Sequence, residues 1–145
     1  MKVLLDSNIL LRLAQPVHPH HPLAQGAVTT LHDRGADLCI VPQTVYEFWV
    51  IATRPVTANG LGLTVSDSHA EVAQFKRMFP LLPDLGGLFA EWEQIVYSRQ
   101  VSGRQAHDAR LVAAMRTHGL TEILTFNGSD FRRFPGVTIV DPVAP

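Results

Sequence analysis

The feature that most restricts the fold is a set of short apolar runs that alternate with longer segments of helical periodicity. The runs occupy residues 3–5, 38–41, 122–126 and 137–140. A short continuous apolar run is typical of a strand buried on both faces, as in a parallel sheet covered by helices. The alternation therefore predicts an α/β fold, in one domain over residues 1–145, with a mostly parallel central sheet flanked by helices.

The segments between these runs predict the helices. Apolar side chains recur at helical spacing in residues 9–14, 23–31, 42–52, 66–79, 87–99 and 105–118. Pro42 suits the first turn of its helix, because a backbone N–H has no helical partner there. Gly35 and Gly119 suit the positions that follow a helix end. Ser66 is expected to cap the start of the fourth helix.

Composition excludes several classes of protein. The formal net charge is −1, so a nucleic acid would have to be bound through a local patch and not through overall charge. No run approaches the ~20 apolar residues of a membrane span. Asp6 interrupts the N-terminus before the apolar segment of a signal peptide could form. The single cysteine, Cys39, lies in an apolar run and is expected to be a buried thiol. We expect a soluble cytoplasmic protein.

The segment 16–22 is rich in proline and histidine and is expected to be a loop. Its histidines are His18, His20 and His21. A zinc site would need further ligands, and no second cluster with zinc-finger spacing follows. A solvated loop is the preferred interpretation.

Four carboxylates stand out by position. Asp6 follows the first predicted strand and Asp130 follows the third. Glu47 lies at the edge of the apolar face of the helix after the second strand. Asp108 lies in the first turn of a mostly apolar helix, where the helix dipole would stabilise its charge by about 0.3–1 kcal/mol. Each position alone has an ordinary structural explanation.

Together, these carboxylates indicate a cation site. In open α/β sheets, ligands bind at the carboxyl ends of the strands, where Asp6 and Asp130 are predicted to lie. Clustered carboxylates repel one another, and the repulsion is relieved by a raised pKa or by a divalent cation. Ligands that are all oxygen suit Mg²⁺ or Mn²⁺ better than zinc or copper. Carboxylates around such ions are typical of enzymes that hydrolyse phosphodiesters.

The same residues resemble a known family. The matching positions are Leu4-Leu5-Asp6-Ser7-Asn8, then Glu47, then His107-Asp108-Ala109, then Thr125-Phe126-Asn127-Gly128-Ser129-Asp130-Phe131. Their order and spacing resemble the PIN domain and, more narrowly, the VapC-type toxins of bacterial toxin–antitoxin pairs. The resemblance extends from residue 2 to about residue 141, and it implies a PIN-like three-layer sandwich. Ser7 stands where other members often carry Thr, and we expect little consequence.

The resemblance also implies a function. It predicts a Mg²⁺- or Mn²⁺-dependent endoribonuclease whose metal is held by Asp6, Glu47, Asp108 and Asp130. Asn8 and Asn127 would hydrogen-bond these carboxylates or water, and Thr125 would lie near the site. Many such toxins form homodimers and are held inactive by a cognate antitoxin whose tail enters the active-site groove.

The expected mechanism is in-line hydrolysis of RNA. Asp6, Asp108 and Asp130 would anchor one ion, and Glu47 would complete its shell directly or through water. A hydroxide would attack the phosphate and leave a 5′-phosphate and a 3′-hydroxyl. His107 adjoins Asp108, but its side chain points about 100° away on the helix, so we interpret it as a packing or capping residue. The candidate RNA-binding residues, chosen by proximity in sequence, are Arg12, Arg110, Arg132 and Arg133.

Three alternatives compete with the toxin hypothesis. A phosphoacceptor signalling domain would need a lysine after a late strand, and the only lysines are Lys2 and Lys76. A catalytically idle PIN module that serves for binding is disfavoured, because all four acidic positions are filled. A PIN nuclease of RNA processing or DNA metabolism stays open.

Overall fold

A parallel sheet of four strands forms the middle of the structure, a computed structural model that describes residues 1–145. The strands are β1 (Lys2–Leu5), β2 (Asp37–Cys39), β3 (Glu122–Leu124) and β4 (Thr138–Val140), in the order β2-β1-β3-β4. All of their pairings are parallel. In the centre, Leu4 pairs with Cys39 on one side and with Ile123 on the other. The predicted parallel sheet is confirmed.

Six α-helices surround the sheet. They are α1 (Ser7–Leu13), α2 (His21–Asp33), α3 (Pro42–Thr53), α4 (Val65–Met78), α5 (Leu88–Ser98) and α6 (Gln105–Thr117). Two short 3₁₀ turns cover Val56–Ala58 and Gly128–Asp130. None of the six helices combines the length and the apolar composition that a bilayer crossing requires.

The helices pack on both faces of the sheet, because successive strand residues point to opposite faces. Val3 and Leu5 belong to a buried cluster with side chains of α1, α2, α3 and α4. Leu4 belongs to a second cluster with side chains of α5 and α6. Val3, Leu4 and Leu5 are fully buried. The result is the three-layer α/β sandwich that was predicted.

Several helices and strands begin or end at residues other than the predicted ones. The N-cap of α4 is Thr64 and not Ser66, because the Thr64 hydroxyl accepts a hydrogen bond from the backbone N–H of Asp67 at 3.0 Å. Helix α2 begins at His21, so Pro22 lies in its first turn and not in the preceding loop. Strand β3 ends at Leu124, and Thr125 follows it as a buried turn residue.

Two glycines are required by their surroundings. Gly119 follows α6 with φ of 68°, a left-handed conformation that glycine adopts without a steric penalty. Gly128 lies against Ile139 of β4, and a Cβ atom at this position would come within 2.7 Å of the Ile139 Cγ2. The turn after β3 can therefore approach β4 closely only with glycine at position 128.

Cys39 is buried, as predicted, and its thiol contacts the backbone carbonyl of Val3 at 3.6 Å. Burial raises the pKa of this thiol to about 11. A thiol with such a pKa is inert near neutral pH.

Candidate active site

Asp6 is the most buried carboxylate of the candidate site, with 6% of its surface exposed. It directly follows β1 and caps α1, so its backbone is fixed by two elements at once. Its Oδ1 accepts from the Ser7 backbone N–H at 2.7 Å. Its Oδ2 accepts from the Thr125 hydroxyl at 2.7 Å and from the Asn8 amide at 3.2 Å. These contacts fix the orientation of the carboxylate.

Burial nevertheless makes the charge on Asp6 costly. Desolvation raises its pKa to about 6, and the neighbouring Glu47 adds to the increase. The hydrogen bonds from Thr125 and Ser7 act in the opposite direction, because they favour the charged form. The desolvation is larger, so Asp6 is a carboxylate that a positive charge would stabilise.

The turn after β3 is tied to the start of α1 by side chains. Besides its contact with Asp6, the Asn8 amide donates to the Thr125 hydroxyl at 3.0 Å, and the Asn8 carbonyl accepts from the Phe126 backbone N–H at 3.1 Å. The Asn127 backbone N–H donates to the Thr125 hydroxyl at 3.0 Å. Asn8 and Thr125 thus lie at Asp6, whereas Asn127 contributes a backbone group and its side chain is exposed.

Glu47 comes from α3 and is held at both of its oxygens. Its Oε2 accepts from the Ser7 hydroxyl at 3.1 Å, and its Oε1 accepts from the Gln43 amide at 2.9 Å. Ser7 therefore lies between Asp6 and Glu47. Its hydroxyl has a defined role at this position, which the sequence analysis did not recognise.

Gln43 is the residue of this site that the sequence analysis missed. Its side chain is buried, and besides Glu47 its amide contacts the backbone carbonyl of His107 in α6 at 2.8 Å. Its carbonyl accepts from the Arg110 guanidinium at 2.9 Å, and Arg110 also pairs with Asp84 at 3.1 Å. Gln43 thereby joins the helix of Glu47 to the helix of Asp108. The available signal was its spacing of four residues from Glu47, which places the two side chains on one helix face.

Asp108 links the four carboxylates electrostatically. Its pKa is raised to about 6, first by burial and then by the charges of Asp130, Asp6 and Glu47, while His107 acts in the opposite direction. The other three predicted acidic residues therefore lie within electrostatic range of Asp108. Their side chains do not converge as a closed cation cage, since no three acidic, histidine or cysteine side chains are grouped tightly enough to hold an ion.

Asp130 completes the set from the opposite side of the turn. It lies in the 3₁₀ turn Gly128–Asp130 and is exposed, unlike Asp6. The site thus runs from a buried carboxylate at the end of β1 to an exposed one after β3. Because exposure increases from Asp6 to Asp130, a ligand could reach the site from the side of Asp130.

The four candidate arginines lie in different surroundings. Arg110 is engaged with Gln43 and Asp84. Arg12 is half-buried on α1 and donates to the Gln15 side chain at 2.6 Å. Arg133 donates to the Gln105 side chain and to the Arg99 backbone carbonyl. Arg132 is exposed.

Comparisons with known proteins concern the family of the chain. The family model described as "PIN domain" matches residues 3–137 of the chain. The chain is 29% identical to "Ribonuclease VapC48" of Mycobacterium tuberculosis over an alignment of 147 positions, which covers 94% of each protein.

Solved structures show the same fold. The crystal structure of VapBC2 from Rickettsia felis, bound to a DNA fragment from the promoter, matches with a TM-score of 0.73 at 10% identity and covers 97% of this chain and 98% of that chain. The crystal structure of DNA-bound VapBC from Salmonella typhimurium matches with a TM-score of 0.69 at 20% identity and covers 98% of each. Because the sequence identities are this low, the similarity to these structures is a similarity of fold.

Proposed function

This chain belongs to the PIN-domain family, and we propose on that basis that it is an endoribonuclease that hydrolyses RNA phosphodiester bonds and leaves a 5′-phosphate and a 3′-hydroxyl. The observation that carries the proposal is the network that joins the carboxylates, in which Ser7 contacts both Asp6 and Glu47 and Gln43 ties Glu47 to the first turn of the helix that carries Asp108. The relative named ribonuclease supports the choice of RNA as substrate.

We propose Mg²⁺ or Mn²⁺ as the cofactor, because the residues present fit either ion. The charged donors are carboxylate oxygens, which both ions prefer. Burial and mutual repulsion disfavour the charged forms of Asp6 and Asp108, and a divalent cation would offset both. Asp6, Asp108 and Asp130 would hold the ion, with Glu47 completing its shell directly or through water. When bound, the ion would supply a Lewis acid for the phosphate and would lower the pKa of water.

The remaining residues of the site would orient these carboxylates. Thr125 and Asn8 hold one oxygen of Asp6, and Ser7 holds the other through its backbone N–H. Ser7 and Gln43 hold the two oxygens of Glu47. Partners of this kind fix the direction of a ligand's lone pairs, and losing one typically costs about 10–100-fold in metal affinity or activity. The backbone of RNA would be bound by arginines near this edge, with Arg12, Arg110, Arg132 and Arg133 as the candidates.

We further propose that the chain is the toxin of a toxin–antitoxin pair, with a cognate antitoxin as its partner. The support comes from the structures named VapBC, which match over nearly the whole chain. We propose that residues 1–145 act as a single domain in the cytoplasm and that the protein forms a homodimer. One sheet in which β1 pairs with both β2 and β3 supports the single domain.

The experiment that tests the proposed function is cleavage of a mixed RNA pool by the purified protein with Mg²⁺ or Mn²⁺. Cleavage should be lost with EDTA and in Asp108→Asn, and the products should carry 5′-phosphates. Asp37→Asn is a matched control, because Asp37 is an exposed aspartate at the opposite end of the sheet. Undiminished cleavage in EDTA or in Asp108→Asn would overturn the mechanism.

A negative result is resolved by a binding measurement. If no RNA is cut, Mn²⁺ binding is compared between the wild type and Asp108→Asn by calorimetry. Binding to the wild type alone would retain the metal site and direct the search to other RNA substrates. Binding to neither would favour a PIN module without catalysis.

A further inference from the structure

An aromatic pair lies beside the candidate active site and is not used by the proposed mechanism. The ring of His20 stacks on the ring of Phe126, with centroids 5.1 Å apart and planes inclined by 18°. The ring of His18 meets His20 edge-on at a centroid distance of 5.3 Å. His20 is exposed despite this packing. The exposed His20 ring is thus held parallel to the half-buried Phe126 ring at the surface.

The position of Phe126 places this pair at the edge that carries the carboxylates. Phe126 directly follows Thr125, whose hydroxyl donates to Asp6 at 2.7 Å. Its own backbone N–H donates to Asn8, which also contacts Asp6. The Phe126 side chain packs on the cluster formed with α1 to α4, whereas Asp108 belongs to α6 on the other face of the sheet. The aromatic pair therefore flanks the acidic edge on the side away from α6.

The loop that carries the histidines is held in one conformation by local contacts. The His20 backbone N–H donates to the His18 Nδ1 at 3.0 Å, and the His21 Nδ1 donates to the Arg12 backbone carbonyl at 2.9 Å. Proline at positions 16 and 19 restricts the backbone further. Rings that are already ordered lose little conformational freedom when a ligand stacks on them.

The surroundings of the pair suit a polyanion. Arg12 lies close enough to His18 to lower the pKa of that ring, after partial desolvation as the larger cause. The segment 14–22 contains no acidic residue. Proteins bind single-stranded nucleic acids by combining positive charge with aromatic rings on which bases stack, and here Arg12 supplies the charge and the exposed His20 supplies the ring.

We propose that His20 and Phe126 form a stacking site for an unpaired nucleobase of the RNA strand whose phosphate lies at the acidic edge. This inference rests on the proposed function and adds a binding subsite to it. Stacking depends on the area of the base, so a purine should bind better here than a pyrimidine. The site would thus orient single-stranded substrate and give it a preference for purine next to the cut.

The test is binding of single-stranded RNA to the Asp108→Asn variant, which prevents cleavage during the measurement. The probes are oligo(A), oligo(U) and an abasic ribose-phosphate strand, each of about 12 nucleotides. The order of affinity should be oligo(A), then oligo(U), then the abasic strand. Adding His20→Ala should weaken oligo(A) binding by about 5- to 150-fold and leave abasic binding unchanged. His20→Tyr should restore the preference.

His32→Ala is the matched control, since His32 is an exposed histidine near the other end of α2. It should not change any of the three affinities. If His20→Ala binds all three strands as its parent does, or if the parent does not distinguish them, the stacking site is overturned. If the Asp108→Asn variant prefers oligo(A) but the wild type neither cuts RNA nor binds Mn²⁺, the stacking site stands and the nuclease fails. If no strand binds at all, the stacking site is overturned, and the cleavage experiment decides the nuclease separately.

Discussion

Gln43 is the residue on which the geometry between Glu47 and α6 depends. Its amide and carbonyl contact Glu47, the His107 backbone and Arg110 within 2.9 Å, and all three contacts meet at one buried side chain. Because Gln43 contacts a proposed metal ligand and would act on the metal only through it, we regard it as a positioning residue.

Replacing Gln43 tests this role. Gln43→Leu keeps most of the volume but removes the donor to Glu47, so we expect Mn²⁺ affinity to fall by about 10–100-fold. The measurement is calorimetric titration, with RNA cleavage at several Mn²⁺ concentrations. The loss of cleavage should be partly recovered at high Mn²⁺, which a simple folding defect would not allow. Gln74→Leu, in the exposed part of α4, is the control and should bind Mn²⁺ normally. Normal Mn²⁺ affinity in Gln43→Leu would contradict the positioning role.

Asp108 illustrates a conflict between function and stability at a single residue. Burial and three neighbouring carboxylates raise its pKa to about 6, so its charged form destabilises the free protein near neutral pH. Asp108→Asn should therefore raise the free energy of unfolding without divalent cations by about 1 kcal/mol, after allowance for solvent screening. Denaturant unfolding in EDTA measures this change. Asp37→Asn should change stability by less than about 0.5 kcal/mol. A lower free energy of unfolding in Asp108→Asn would mean that favourable contacts of the charged carboxylate outweigh its burial and its repulsion by the neighbouring carboxylates.

At the scale of elements, helix α3 carries both core and site side chains. Phe48 is fully buried and meets Phe75 of α4 edge-to-face, with centroids 5.1 Å apart. Glu47 precedes Phe48 in the chain, so the packing of Phe48 fixes the rotation of the helix and hence the direction of Glu47. The core contact and the site contact are consequently linked through one turn of helix.

Replacing Phe48 with alanine tests whether its packing anchors helix α3. Phe48→Ala should lower the free energy of unfolding by about 3–5 kcal/mol, because it leaves a cavity in the core. The control is Tyr46→Ala on the same helix, whose side chain is 61% exposed. It should cost less than about 0.5 kcal/mol. Denaturant unfolding compares the two, and equal losses would show that α3 is not anchored through Phe48.

The elements themselves were largely predictable from the sequence, because strand runs and helical periodicity are local patterns. The positions of three of the candidate carboxylates in these elements were predictable for the same reason, since Asp6 and Asp130 follow strands and Asp108 lies in the first turn of a helix. Hydrogen bonds made by individual side chains were harder to predict from the sequence. Ser66 was a plausible cap, but Thr64 is the residue that lies three positions before Asp67 and accepts its N–H.

Long-range relations could not be derived from local patterns. The sheet order β2-β1-β3-β4 depends on which strands pair, and periodicity carries no information about pairing. The Gln43 network joins residues that are 64 and 67 positions apart. The stack of His20 on Phe126 joins a loop and a turn that are more distant still. Each of these contacts depends on tertiary packing.

At the scale of the whole molecule, the sheet order brings the site together. Because β1 lies between β2 and β3, the end of β1 places Asp6 between the helix that follows β2 and the turn that follows β3. Glu47 thus lies near Asp6 on one side, and the turn that carries Asp130 follows the neighbouring strand on the other. The fold concentrates negative charge at one edge, so protons and divalent cations should each stabilise the folded chain and should compete with one another for this edge.

The proton response follows from the raised pKa values. Asp6 and Asp108 each have a folded-state pKa of about 6, above the ordinary value of 3.8. Between about pH 4 and pH 6 the folded state therefore binds more protons than the unfolded state, and the free energy of unfolding of the metal-free protein should fall as pH rises through this window. Above about pH 6 this contribution should be constant. The two carboxylates interact, so the transition belongs to the pair and not to either residue.

A bound divalent cation should reverse this response, because it must displace the protons before it binds. At about 100 times its dissociation constant, Mn²⁺ would stabilise the folded state by about 2.7 kcal/mol, which raises Tm by about 5–10 °C for a chain of this size. We expect that increase near pH 7.5 and only a small one near pH 5, measured by thermal unfolding at fixed ionic strength. Asp108→Asn should lose most of the increase at both pH values. An equal increase at both pH values in the wild type would mean that Mn²⁺ binds somewhere other than at these carboxylates.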